Sequence, residues 1–401
     1  MKKRVVLLGV MAAVIFGGIV MIASDGPHVA AEVAHTGDAR LLESVRELRA
    51  KHSLVGLAAM VTVDGEPVAS AVDGQRKRKS GVALELGDRF HLGSITKSFT
   101  ATMIARLIEQ EKIDWTTTVG EVLGDEIEMH PDWNEVTIEQ LLTHTSGAPA
   151  NFSLGVRLQT PPEGDERVAA RKTAVADILA EKPESQPGSQ FAYSNVGYTV
   201  AAVIAETVTD SSWEELIRQE VFEPLQITEA GFGPPKSEKG ELEQPVGHRK
   251  LLLFKLAMGE DADNTPIMGP AGSLHMTLAD LCTYADEHRL GEQGTGRLLS
   301  AESYKRLHTP KLDDYACGWV VKTKSPWTGG PVIWHNGSNT MWYALVTILP
   351  EQNAVIAVAA NDGDLKEAQP AAIELVQRGG EWGDRDCGRG GRRDGRARFD
   401  V

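Results

Sequence analysis

The 401 residues carry 56 acidic against 41 basic side chains, a formal net charge of −15, which disfavours a broad phosphate-binding surface and makes nucleic acid an unexpected partner. Cys282, Cys317 and Cys387 form neither an even disulfide set nor a metal-ligand spacing, so they read as two packed thiols and one stray. With both ends set aside, the length suffices for a large core and two lobes around a cleft.

Met1-Lys2-Lys3-Arg4 precedes nineteen uncharged, mainly apolar residues, Val5 to Ala23, the charged and hydrophobic parts of an export signal. Val29-Ala30-Ala31 offers small residues for cleavage after Ala31. The apolar run exceeds the ~7–15 residues of a usual signal and nears the ~20 of a spanning helix, so an uncleaved anchor is the alternative. Residues 1–31 are therefore read as signal peptide or membrane anchor. Either places the rest in the periplasm or outside the cell.

Leu41, Leu42, Val45 and Leu48 have helical spacing and predict an amphipathic helix. Val55–Val63 and Pro67–Val72 read as strands joined through Asp64-Gly65-Glu66, a hairpin turn signal. The basic run Arg76-Lys77-Arg78-Lys79 is expected as a solvated loop. After Phe90-His91-Leu92-Gly93, apolar Ile95, Phe99, Met103, Ile104, Leu107 and Ile108 cover most of a helix, which should be buried with Ser94 at its amino end. Residues from about 98 to 260 look helical, the better helices being 174–180 and 198–208, with loops at 160–165 and 233–236. Val332-Ile333-Trp334, Trp342–Leu349 and Ala354–Ala360 read as strands, and Leu365–Val376 as a closing helix. From 379 to 401 the chain is Gly, Arg and Asp with almost no apolar residue, a composition expected to be disordered.

Ser94-Ile95-Thr96-Lys97 puts a hydroxyl and an amine three residues apart, on one face of a helix. A buried lysine loses affinity for its proton and can activate the hydroxyl as a nucleophile. The serine and lysine content makes one such motif unsurprising by chance, whereas six tyrosines make Tyr193-Ser194-Asn195 the more informative match. His335-Asn336-Gly337 repeats a His-x-Gly form also present at His35 and His91, but only this copy follows both other motifs and closes a strand. Its glycine would admit a substrate backbone for want of a β-carbon. No Gly-x-Ser-x-Gly elbow exists, so His144 and Ser146 are read as turn-stabilising rather than as parts of a triad. No metal cluster or cofactor motif stands out.

Taken in order, Ser94-x-x-Lys97, Tyr193-x-Asn195 and His335-x-Gly337 resemble the three signatures of the serine β-lactamase and penicillin-binding-protein superfamily, in its class C-like branch. Leu141–Gly147, Gly269–Leu274 with Thr277–Leu281, and Gly318-Trp319 resemble further stretches of it. The resemblance implies an α/β (α+β) fold, an antiparallel sheet flanked by helices on both faces with a mainly helical insert. The catalytic domain would span 36–378, its sheet lobe about 40–93 and 265–378 and its helical lobe about 94–264.

It further implies Ser94 as acylated nucleophile, Lys97 as base, Tyr193 as proton shuttle, and Asn195, His335 and Gly337 as substrate-binding residues. The oxyanion would sit between the Ser94 amide and a strand residue near Asn339 to Met341. No cofactor is implied. His335 stands where typical class C β-lactamases carry lysine and resembles the histidine of some D-peptidases and esterases of the branch. The expected activity is therefore cleavage of an amide or ester in a small molecule or short peptide. A true β-lactamase is the alternative enzyme, and a penicillin-binding or sensing module without turnover is the alternative of another class.

Overall fold

The computed structural model describes residues 39–237, 241–252 and 254–383. The signal or anchor at 1–31, most of the tail and Cys387 lie outside the described residues. None of the described helices is long and apolar enough to cross a membrane.

Six strands form the main sheet: β1 (Gly56–Val63), β2 (Glu66–Gly74), β3 (Val320–Lys322), β4 (Val332–Gly337), β5 (Tyr343–Leu349) and β6 (Ala354–Ala360). Their order is β2-β1-β6-β5-β4-β3, with every neighbouring pair antiparallel. The hairpin turn between β1 and β2 holds Asp64 and Gly65 at φ of 50° and 81°, the pair of positive angles that a two-residue type I′ connection requires.

Alternation along the central strands divides two cores. Leu57, Ala59, Val61, Leu345, Ile356 and Val358 face one side, where they meet Leu41, Val45 and Leu48 of α1 (Arg40–Lys51) and Ala368, Ala371 and Leu375 of the last helix. That helix, Leu365–Gly383, runs past the boundary read at 378. Ala58, Met60, Ala344, Val346, Val355 and Ala357 face the other side, against Leu281 and Ala285 of the helix Leu278–Glu292 and the buried residues of α2 (Thr96–Glu109). The sheet is thus covered on both faces, as the fold class implies.

Between the halves of the sheet lies a mainly helical region. Its longer helices are Asp165–Leu179 and α3 (Asn195–Thr209), both starting earlier than periodicity suggested. This region also holds strands that the sequence did not reveal: Ala230–Phe232 and a separate hairpin, His248–Leu251 with Phe254–Ala257. The basic run is not wholly solvated either. Arg76 is partly buried, its guanidinium bonded to Asp88 and Glu85. Cys282 and Cys317 are buried free thiols.

Candidate active site

A short 3₁₀ turn, Gly93–Ile95, carries Ser94 and passes directly into α2, so Lys97 follows one turn later on the same side. The end of β4 presses on this turn. A β-carbon on Gly337 would lie 2.0 Å from the Leu92 carbonyl oxygen and 2.4 Å from the Ser94 nitrogen, and one on Gly93, whose φ is 51°, would lie 2.3 Å from the Ser338 nitrogen. Both glycines are required by this contact. Since β3 pairs only with Val332, Ile333 and Trp334, the stretch from His335 to Gly337 has no β3 neighbour on its outer edge.

Lys97 is fully buried. Its Nζ lies 2.7 Å from Asn195 Oδ1, 2.7 Å from the Ala271 carbonyl oxygen and 3.1 Å from Ser94 Oγ. Burial pushes its pKa well below the ordinary lysine value, which favours the neutral amine. A neutral amine has two N–H groups and one lone pair. The two close oxygens can only accept, so they take both N–H groups, and the lone pair is left for the Ser94 O–H to donate into.

Tyr193 is 38 % exposed as a residue, and the surroundings of its hydroxyl, which include the Ser94 side chain, partly desolvate that end. That desolvation raises the phenol above its ordinary pKa, with a hydrogen bond to the Ser94 side chain pulling the other way, so the group is a protonated donor at neutral pH. Lys97 Nζ stands 4.8 Å from the Tyr193 ring centroid. The structure therefore brings Ser94, Lys97, Tyr193 and Asn195 together. Tyr193 and Asn195 do so differently from an extended segment, because Ser194 caps α3 and Asn195 is its first residue. The Asn195 carboxamide is engaged at both ends: its oxygen accepts from Lys97 and its nitrogen donates to Asn151 Oδ1 at 2.8 Å.

His335 is buried, with Nδ1 2.6 Å from the Asn336 carbonyl oxygen and Nε2 3.2 Å from the Tyr315 hydroxyl. Burial, and secondarily Lys97, lowers its pKa to about 3, so it is uncharged at neutral pH. The Thr340 and Met341 amides, expected to contribute to an oxyanion site, donate instead to Ser338 Oγ and Asn339 Oδ1. Ser338 N, one residue past the end of β4 and beside the Ser94 turn, is the backbone amide that the close contact brings to the site.

Asn151, Ala271, Tyr315 and His144 are the contributors that sequence reasoning missed or underrated. Ala271 acts through its carbonyl, which no side-chain pattern signals. His144, buried and at φ 58°, accepts a hydrogen bond from the Ser194 backbone at Nδ1 and lies 4.3 Å from Tyr193, ring centroid to ring centroid. Burial, Lys97 and His335 all lower its pKa. Its ring thus fixes both the cap of α3 and the back of Tyr193, beyond the turn-stabilising role read from sequence.

A family model described as Beta-lactamase matches residues 41–380. Penicillin-binding protein 4 of Amycolatopsis lactamdurans is 28 % identical over 337 residues, covering 79 % of this chain and 83 % of the relative. An unguisins hydrolase of Aspergillus campestris is 23 % identical over 287 residues, 68 % of this chain, but the match spans only 52 % of that protein. The D-amino acid amidase from Ochrobactrum anthropi SV3 superposes with a TM-score of 0.69 at 17 % identity, over 86 % of this chain and 98 % of its own, a likeness of fold.

Proposed function

Given that the chain belongs to the Beta-lactamase family, a premise that makes a serine hydrolase the coarse expectation, we propose that it cleaves an amide or ester through an acyl-Ser94 intermediate. The observation that carries this reading is the Lys97 amine 3.1 Å from Ser94 Oγ with its two N–H groups committed elsewhere.

Neutral Lys97 takes the Ser94 proton as Oγ attacks the carbonyl carbon. The oxyanion forms against the amides of Ser94 and Ser338, at the start of α2 where backbone donors favour negative charge. Tyr193, held protonated, gives its proton to the departing amine or alkoxide and is reprotonated from the Lys97 ammonium, which returns the amine to its neutral state. Water then attacks the ester of Ser94 through the same groups, releasing the acid and restoring the hydroxyl. The unpaired edge of β4 supports recognition of a peptide-like backbone, and Asn151 with Asn195 that of an acyl amide.

Neutral, enclosed His335 offers no cation to a β-lactam carboxylate, which favours D-aminoacyl amides, peptides or esters over β-lactams. The amidase likeness points the same way. Steady-state turnover of a D-aminoacyl p-nitroanilide, a p-nitrophenyl ester and a chromogenic cephalosporin tests this directly. The first two should be cleaved far faster than the third, and dominant cephalosporin turnover would replace this reading with a β-lactamase. The relative named as a penicillin-binding protein supports a second reading, acylation without release; its sign is a stable penicilloyl adduct with no ester turnover. Residues 1–31, read as signal or anchor, support placing this chemistry outside the cytoplasm.

A further inference from the structure

The hairpin His248–Leu251 with Phe254–Ala257 reverses the usual arrangement of a surface sheet, in which apolar side chains face the body and polar ones the water. Its register pairs Arg249 with Leu256, Lys250 with Lys255, and Leu251 with Phe254. Successive residues point to opposite faces, so Lys250, Lys255 and buried His248 share the inner face. There Lys250 pairs with Asp364 and Lys255 with Asp362, each at 2.6 Å, and His248 Nδ1 lies 2.7 Å from the Asn361 carbonyl oxygen. The outer face carries Arg249, Leu251, Phe254 and Leu256, all exposed, and at the tip Leu252 is 86 % exposed and Phe254 67 %. Ion pairs hold the hairpin to the body while its apolar face points to solvent. Scattered exposed leucines need no explanation, but four large apolar residues on one rigidly rooted projection do.

A second observation concerns charge. The basic run at Arg76–Lys79 lies at the root of this hairpin: the Arg78 amide donates to His248 Nε2 at 3.0 Å, and the Val246 amide donates to the Arg76 carbonyl at 3.0 Å. Lys77 and Lys79 near the root and Arg249 on the apolar face are exposed, although the whole chain has a net charge of −15. Asp364 and Asp362 compensate Lys250 and Lys255, which leaves Lys77, Lys79 and Arg249 as exposed basic groups of this region.

A third concerns tethering. If the apolar run Val5–Ala23 lies in a membrane, residues 24–39 link it to α1 with a maximum span of about 50 Å, and the far end of α1 leads to Ser53, whose carbonyl oxygen lies 2.7 Å from Lys255 Nζ of the hairpin. We infer that the hairpin 248–257, with its basic neighbours Lys77, Lys79 and Arg249, is a docking surface for an anionic lipid bilayer. Apolar insertion and basic attraction together supply the two signals that stable interfacial binding needs.

Hydrogen exchange of the full chain separates docking from mere tethering, because the readout is local. Amides of residues 249–256 should exchange about tenfold more slowly on phosphatidylglycerol-containing vesicles than in buffer or on pure phosphatidylcholine. The pair Leu252→Asp with Phe254→Asp should abolish that protection while ester turnover stays unchanged, since neither residue touches the Ser94 cleft. Lys77→Gln with Lys79→Gln and Arg249→Gln should weaken the protection and remove its sensitivity to salt. Equal protection on both lipids would overturn the anionic preference. No protection, or protection without lipid that grows with protein concentration, would overturn the membrane assignment, the latter in favour of a second copy of the chain.

Discussion

Replacing Asn195 by Asp places a carboxylate where a neutral carboxamide oxygen now lies 2.7 Å from Lys97 Nζ. Two unit charges at that separation attract by about 6 kcal/mol at an effective dielectric constant of about 20, equivalent to about 4 pKa units on the amine. The new carboxylate must itself be taken out of water, which offsets roughly half of this and leaves a rise of about 2 units. The sign is clear: the ammonium is favoured, and the base is lost until the pH exceeds its new pKa. In the kcat/KM profile for a p-nitrophenyl ester, the acid limb should move up by about 2 units, and activity at pH values below the wild-type limb should fall about hundredfold. Much of the loss should return in alkaline buffer. Asn195→Leu, which removes the acceptor without adding charge, should lower activity without moving the limb upward. An Asp variant whose acid limb stays in place would show that Lys97 is not the base.

Other outcomes follow from the same geometry. Gly337→Ala forces a β-carbon to within 2.0 Å of the Leu92 carbonyl, so β4 must withdraw from the Ser94 turn; kcat/KM should fall at least tenfold, and thermal unfolding should show a loss of about 1–3 kcal/mol. His144→Phe keeps the ring packing but leaves the Ser194 amide without its acceptor; chemical denaturation should register about 1–3 kcal/mol, and kcat should fall more than KM changes. His335 is held neutral with a pKa of about 3 against about 6.5 when unfolded, so below pH 6.5 the unfolded chain binds the extra proton and stability falls as pH drops toward 3. At pH 5 this costs about 2 kcal/mol, and His275, lowered by burial to about 4, acts in the same direction. Urea midpoints should fall from pH 7 to pH 5, and His335→Gln should reduce the slope; midpoints independent of pH would contradict neutral burial.

Local chemistry made the frame of the fold readable. Asp64-Gly65 specifies its turn without help from elsewhere, and the apolar runs of β5 and β6 are continuous because that sheet is buried on both faces. The meeting of Ser94 with Lys97 was readable for the same reason, being set by one helical turn. Tyr193 and Asn195 could be singled out by motif and order, but not their geometry, because Ser194 caps a helix that opens at Asn195. Contacts made by backbone atoms left no trace: the Ala271 carbonyl at Lys97, and Ser338 rather than the Asn339–Met341 stretch at the Ser94 turn. The hairpin at 248–257 escaped notice because its alternation is inverted, with lysines turned inward to aspartates more than a hundred residues away.

The central claim is a covalent bond to one oxygen atom. Rapid-quench intact-mass analysis with an activated D-aminoacyl ester, followed by fragmentation, should find a transient acyl group on the peptide bearing Ser94, decaying at the rate of turnover and absent from Ser94→Ala. Turnover that survives in Ser94→Ala, or an acyl group resident on another side chain, would contradict the account.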